Sequence, residues 1–282
     1  MGATLRRYPL VGYFILAYGF TWMITVPLAA SAQGWLPWSL PLPLHYLAQF
    51  GPMLAALVMT GITSGAAGLR ELAGRVSPRR LRPVWWLIGI SPIALFALAA
   101  VIARVIDGAW PALRQVGEIN FLPYLGVLVV PLWLLTNGCG EEIGWRGYAL
   151  PRLQQAHGAV SATLMLGVLW ACWHLPYFFY LPNYRSMGMI GFPSFALGLL
   201  SGAVLLTWLF NSTGGSVLAV ALWHGFFNVF TASAAGTGTV AAAMSTVVMV
   251  WAIALLIAAG VAHYSRSGKA ISLGMATPLA QR

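Results

Sequence analysis

Eight apolar runs, most of them long enough to cross a bilayer core of about 30 Å, constrain this chain more than any other feature. They fall at about 10–30, 43–63, 84–106, 121–150, 160–181, 194–211, 215–231 and 239–262. Hydrophobic residues make up 60% of the 282 positions and charged residues only 7%, against roughly 25% charged residues in a soluble domain. Every backbone polar group that faces lipid needs an internal partner, which excludes irregular and open-sheet alternatives. The chain therefore reads as all-α: a polytopic transmembrane helical bundle of about eight spans, forming one integral-membrane domain over 1–282. Clusters such as LPWSLPLP (36–43) and ASAAGTGT (232–239) punctuate the spans, and no internal repeat is visible.

The basic residues set the orientation. With eight spans both termini share a side, and that side collects Arg6, Arg7, Arg70, Arg75, Arg79, Arg80, Arg82, Arg146, Arg152, Arg266, Lys269 and Arg282. The opposite side holds only Arg104, Arg114 and Arg185. This asymmetry predicts cytoplasmic termini and residence in the plasma (inner) membrane. The net charge of +10 then reads as topology and attraction to anionic lipid, not as nucleic-acid binding. Residues 64–83, which include the basic stretch GLRELAGRVSPRRLRP, are expected to form an amphipathic cytoplasmic loop on the membrane surface.

Two local features invite other readings. Arg6–Arg7, an apolar run and then ASAQ (30–33) imitate a secretory signal, but the run is longer than a signal core and reads as a retained span. Cys139 and Cys172 both lie inside spans and define no disulfide framework.

Ionisable residues within spans are costly, about 2.5–3.5 kcal/mol each at a helix centre, so those present carry information. The chain has five acidic residues, and two stand together in CGEEIGWRGY (139–148). Glu142 and Arg146 are four apart, share a helix face and can pair. Glu141 points about 100° away with no cation at that spacing, which leaves it an unpaired carboxylate suited to general-base work. In WACWHLPYF (170–178), His174 lies one turn after Trp170 and can pack on the indole. In ALWHGFFNVF (221–230), His224 and Asn228 share a face; they could bind an oxyanion, ligate a metal through His224, or simply join helices. His45, His157 and His263 fall near predicted interfaces and read as solvated polar groups. Gly158-Ala159-Val160 looks like the turn of a helical hairpin, about equidistant from Glu141 and His174. Folding there would bring these two residues to one depth, with Cys139 opposite Pro176 and Cys172 opposite Ile143.

Three motifs in this order on successive spans, EExxxR at 141–146, an aromatic-xxx-His at 170–174 and HxxxN at 224–228, resemble the CPBP family of CAAX prenyl and bacteriocin-processing (Abi) intramembrane proteases. The likeness covers roughly 121–231, the expected catalytic core, and AQFGPMLAALV (48–58) is similar to the family's second span. Trp170 departs from it, since the family motif usually has Phe there. The resemblance implies hydrolysis of peptide bonds within the membrane. Glu141 matches the glutamate that activates water, His174 the residue that helps hold it, and His224 with Asn228 the pair that stabilises the oxyanion. Glu142, Arg146 and Trp170 match supporting positions. The implied partners are membrane lipid and a peptide or protein substrate with a membrane-proximal cleavage site.

Two alternatives stay open at this level. A metalloprotease would hold a divalent metal such as zinc through Glu141, His174 and His224; no cofactor is favoured, and no HExxH occurs in the chain. A transporter could use the same residues as a proton relay, against which stands the absence of repeated halves.

Overall fold

The structure is a computed structural model and describes residues 2–119, 121–122 and 125–265. Arg266, Lys269 and Arg282, used above for orientation, lie outside the described residues, as does the side chain of His263. Among the described residues all regular structure is helical. Six helical stretches there are long and apolar enough to cross a membrane: Pro9–Ala32, Leu42–Gly74, Pro83–Asp107, Ala159–Phe179, Met189–Ser212 and Thr239–Gly260. Two more helical segments, residues 129–157 and the shorter apolar Val217–Thr231, occupy the places of the fourth and seventh expected spans. The chain is an all-α, integral multi-pass membrane protein.

We label the principal helices α1 (Pro9–Ala32), α2 (Gly51–Gly74), α3 (Pro83–Gly89), α4 (Pro92–Asp107), α5 (residues 129–157), α6 (Ala159–Trp173), α7 (Pro182–Met187), α8 (Phe192–Ser212), α9 (Val217–Thr231) and α10 (Thr239–Ser265). Proline at the first turn starts α1, α2, α3, α4, α7 and α8, where its missing N–H leaves no helical bond unmade. Ser216 caps α9 by accepting from the Ala219 amide at 3.3 Å.

α5 sits at the centre, packed between α2 and α9, while α1 packs on α2, α6 on α8, and α10 on both α4 and α8. Its residues Trp145, Arg146, Gly147, Tyr148, Ala149 and Leu150 are all buried. Tyr13 of α1 stacks on Tyr148 at 5.0 Å and meets Trp145 edge-on at 5.8 Å. Two stretches of α5 are π-helical, Leu134–Glu141 and Trp145–Ala149, a winding rare in general and frequent at functional sites. Close packing depends on small residues here: a Cβ at Gly144 would lie 2.5 Å from the Pro52 carbonyl group and from the Tyr13 hydroxyl. The glycine lets α2 approach the two acids directly.

The hairpin forms as expected. α5 ends at Gly158, whose φ of 73° and ψ of 172° turn the chain into α6, a conformation open to glycine and strained for other residues. The segment 64–83 differs from the expected loop. α2 kinks at Gly65 (φ 61°, ψ −155°) and then stays helical to Gly74. This extension is docked, because Leu72 is buried and Arg75 donates to the Gly147 carbonyl of α5 at 3.3 Å. Arg75 also pairs with Glu71 at 2.7 Å, leaving Arg70, Arg79 and Arg82 on the surface.

Candidate active site

A cavity of about 760 Å³ lies against α5 and is walled by α6, α8, α9 and α10. Glu141, Trp170, His174, His224 and Asn228 all line it, with His45, Gln49 and Tyr184. Its size is that of a pocket for a ligand of several hundred daltons.

The adjacent acids are both buried, Glu141 at 1% exposure and Glu142 at 0%, yet their partners differ. Glu142 Oε1 accepts from Arg146 Nη1 at 2.8 Å and from His224 Nδ1 at 2.7 Å. The i,i+4 pair read from the sequence is therefore present, and His224 joins it. Glu141 has no cation in hydrogen-bond contact. Its Oε1 accepts from the Asn137 amide at 3.0 Å and its Oε2 from the Trp170 indole N–H at 2.7 Å. Two neutral donors hold this carboxylate in place and leave its remaining lone pairs for the cavity.

Trp170 links the parts. Its N–H fixes Glu141, its ring lies under the Arg146 guanidinium at 4.5 Å, and its edge meets His224 at 5.3 Å. The carbonyl of Trp170 is bonded by His174 Nδ1 at 2.7 Å. A carbonyl only accepts, so that nitrogen carries the proton, and Nε2 of neutral His174 is left as an acceptor toward the cavity. His224 is constrained in the same way. Its Nδ1 must donate to the Glu142 carboxylate, so Nε2 can act as a donor only when the ring holds a second proton. Asn228, one turn on, lines the cavity with an amide that donates without any such condition.

The register between α5 and α6 differs from the expected one by about a turn. Glu141 bonds Trp170, four residues before His174, although it lies farther from the turn at Gly158 than Trp170 does. π-helical winding over Trp145–Ala149, between Glu141 and Gly158, contributes to this offset. Hydrogen bonds from i to i+5 place more residues in each turn, so α5 climbs less per residue than the α-helical α6. Counted from this contact, Cys139 falls opposite Cys172 where Ile143 had been expected, and both thiols are free. His174 still shares the cavity with Glu141.

Three polar residues were missed or misjudged. Asn137 stands four before Glu141 in NGCGE, a spacing that could have flagged it as a helix-face partner. His45 is not a solvated group: it is 5% exposed, with Nδ1 on the Tyr180 hydroxyl at 2.7 Å and Nε2 on the Gln49 amide at 2.8 Å. Gln49 in turn accepts from Tyr177 at 3.5 Å. His157 is exposed, as expected. Among the described residues no three His, Cys, Asp or Glu side chains converge to hold a metal ion. His224 uses Nδ1 on Glu142, His174 uses Nδ1 on the Trp170 carbonyl, and each Glu141 oxygen has one protein donor.

The site thus sets a buried carboxylate, held by neutral donors, inside a helical membrane bundle. Residues 123–230, which contain every motif residue, match the family model for Rce1-like type II CAAX prenyl endopeptidases. The chain is similar to CAAX prenyl protease 2 of Methanococcus maripaludis, 26% identical over 114 residues, or 39% of this chain and 40% of that protein. It also aligns with the probable potassium transport system protein Kup 1 of Rhodopseudomonas palustris, 27% identical over 207 residues, or 57% of this chain and 32% of that protein. The alignments thus take in less than half the length of either relative. Residues 123–230 are thus similar to Rce1-like type II CAAX prenyl endopeptidases.

Proposed function

We propose that the protein is an intramembrane endopeptidase of the glutamic type, with its catalytic core over residues 121–231. One observation carries this reading: Glu141 is a buried, cavity-lining carboxylate with no cation in contact, while its neighbour Glu142 takes both Arg146 and His224. Glu141 takes a proton from a water that also donates to His174 Nε2. The resulting hydroxide attacks the scissile carbonyl carbon, and the carbonyl oxygen becomes an oxyanion. The Asn228 amide stabilises that oxyanion, joined by His224 when its ring is doubly protonated. Glu141 then delivers its proton to the departing nitrogen as the C–N bond breaks. A positioned base contributes about 10²–10⁴ in rate, and a donor aimed at the oxyanion about 10²–10³.

The substrate class is a peptide or protein cut near the membrane surface, and the cavity volume suits a short extended segment. The name of the Methanococcus relative points to prenylated CAAX peptides as the first probe. We place the protein in the inner membrane with cytoplasmic termini, supported by the exposed Arg70 in the last turns of α2 and Arg79 and Arg82 beyond it; labelling of a cysteine at position 79 from the external side would overturn that orientation. The deciding experiment compares peptide termini in membranes that carry wild type or Glu141→Gln. Termini present only with wild type are expected, and identical profiles would sink the proteolytic reading.

A further inference from the structure

Tyr184 lies outside the three motifs, on the short helix α7, and it lines the same cavity as Glu141, His174 and Asn228. Its ring is almost parallel to that of His174, at 12° and 6.3 Å between centroids. Tyr177, Phe178 and Phe195 meet it edge-on at 5.7, 5.2 and 5.3 Å. Aromatic packing from α6, the turn after it and α8 therefore fixes the ring without help from the hydroxyl.

The hydroxyl itself is unused. The neighbouring tyrosines have theirs engaged, Tyr180 with His45 and Tyr177 with Gln49. Tyr184 has no side-chain hydrogen bond among the described residues. A half-buried phenol that lines the cavity and has no side-chain partner among the described residues is free to donate into it. Burial first, and then the negative charge of Glu141, push its pKa up, so it stays a donor across the working range.

We infer that Tyr184 binds substrate, donating a hydrogen bond to a main-chain carbonyl of the peptide beside the scissile bond. The position favours a flanking carbonyl over the reacting one. Tyr184 stacks on His174, on the water-holding side, whereas the oxyanion donors His224 and Asn228 project from α9. A flanking carbonyl changes little in charge between ground and transition state, so the bond would act on binding and leave the chemical step alone.

This inference rests on the proteolytic reading, and the test separates the two. The probe is an internally quenched peptide carrying a prenylated cysteine in a CAAX sequence, assayed with the full-length protein in detergent. Tyr184→Phe keeps the ring and removes only the hydroxyl. It is expected to raise KM about three- to tenfold with kcat within about twofold. Tyr184→Ala, which also unpacks His174, should lower kcat as well. Binding of the same probe to Glu141→Gln, with and without Tyr184→Phe, should weaken by the factor seen in KM. Unchanged KM for Tyr184→Phe would leave the residue a packing group and end the proposal. A hundredfold fall in turnover at constant KM would place the hydroxyl on the transition state and equally overturn it. If wild type cleaves neither this probe nor any membrane protein, the proteolytic reading fails first and takes the role of Tyr184 with it.

Discussion

Two polar clusters face one cavity, built from similar parts and left in opposite states. The first joins His45, Gln49, Tyr177 and Tyr180; the second joins Glu141, Asn137, Trp170 and His174. In the first, both ring nitrogens of His45 are engaged, and the Gln49 amide bonds at each end. In the second, His174 has one ring nitrogen engaged and one free, and Glu141 accepts once at each oxygen, with capacity for more. Both clusters contain a buried histidine, so histidine burial alone does not tell a reactive site from a structural one. Unused hydrogen-bonding capacity does. A closed network rigidifies the bundle, and an open one binds water or substrate.

The largest expected effect tests the open cluster at its centre. Glu141→Gln should lower kcat/KM by about 10²–10⁴ while leaving thermal stability nearly unchanged. The fold should tolerate it because Asn137 can turn its amide, presenting its oxygen to the new NH₂ group while Trp170 keeps an acceptor. Activity within tenfold of wild type would mean that Glu141 is not the base. Glu142→Gln should act differently. Arg146, 0% exposed, and His224 would lose their shared carboxylate together. Removing one member of such a buried network costs about 3–5 kcal/mol. Detergent unfolding of this variant should come early, and a midpoint equal to wild type would refute the pairing.

A smaller effect is expected at Trp170. The indole N–H holds Glu141 Oε2 at 2.7 Å, a bond that phenylalanine, the residue the family resemblance leads one to expect, has no means to make. Bonds to charged groups contribute about 1.5–3 kcal/mol. Trp170→Phe should therefore reduce kcat by roughly tenfold to a hundredfold with KM little changed, if the bond is felt mainly in positioning the base. Infrared spectra give a readout that packing alone would not move. The Glu141 carboxylate band should shift in Trp170→Phe relative to wild type, and an unshifted band would show that the indole does not restrain it.

Much of this was legible in the sequence, and particular residues show where legibility ended. Eight helical segments follow from hydropathy, since lipid leaves a chain this apolar little other choice. The Glu142–Arg146 pair follows from a spacing of four, which survived even in a distorted helix. Gly158 was readable as a turn because its backbone needs positive φ. The register from that turn was not readable. Nothing in WRGYA announces π-helical winding, and counting with α-helical geometry put Glu141 opposite His174 when it meets Trp170. His45 was lost for another reason. It sits at the start of a predicted span, where a histidine can face water, and only tertiary contact with Tyr180 shows that it does not. The cavity and Tyr184 lie beyond any local pattern, because their walls come from helices far apart in the chain.

The smallest expected effect belongs to the closed cluster, and it decides whether the contrast between the two is real. His45→Leu would strip the Gln49 amide and the Tyr180 hydroxyl of their partner at once. Orphaned buried polar groups cost about 1–3 kcal/mol, and cavity water should reduce the penalty toward the lower end. Adding Gln49→Leu removes one of the stranded groups together with the cause, so the double variant should be no less stable than the single, a non-additivity that thermal melts resolve. Throughout this series kcat should stay within about threefold of wild type, because neither side chain touches Glu141 or His174 through a hydrogen bond. A hundredfold loss of turnover for His45→Leu, with stability preserved, would make His45 part of the reactive site. The cluster would then be open in function despite being closed in geometry, and spare hydrogen-bonding capacity would no longer separate the two.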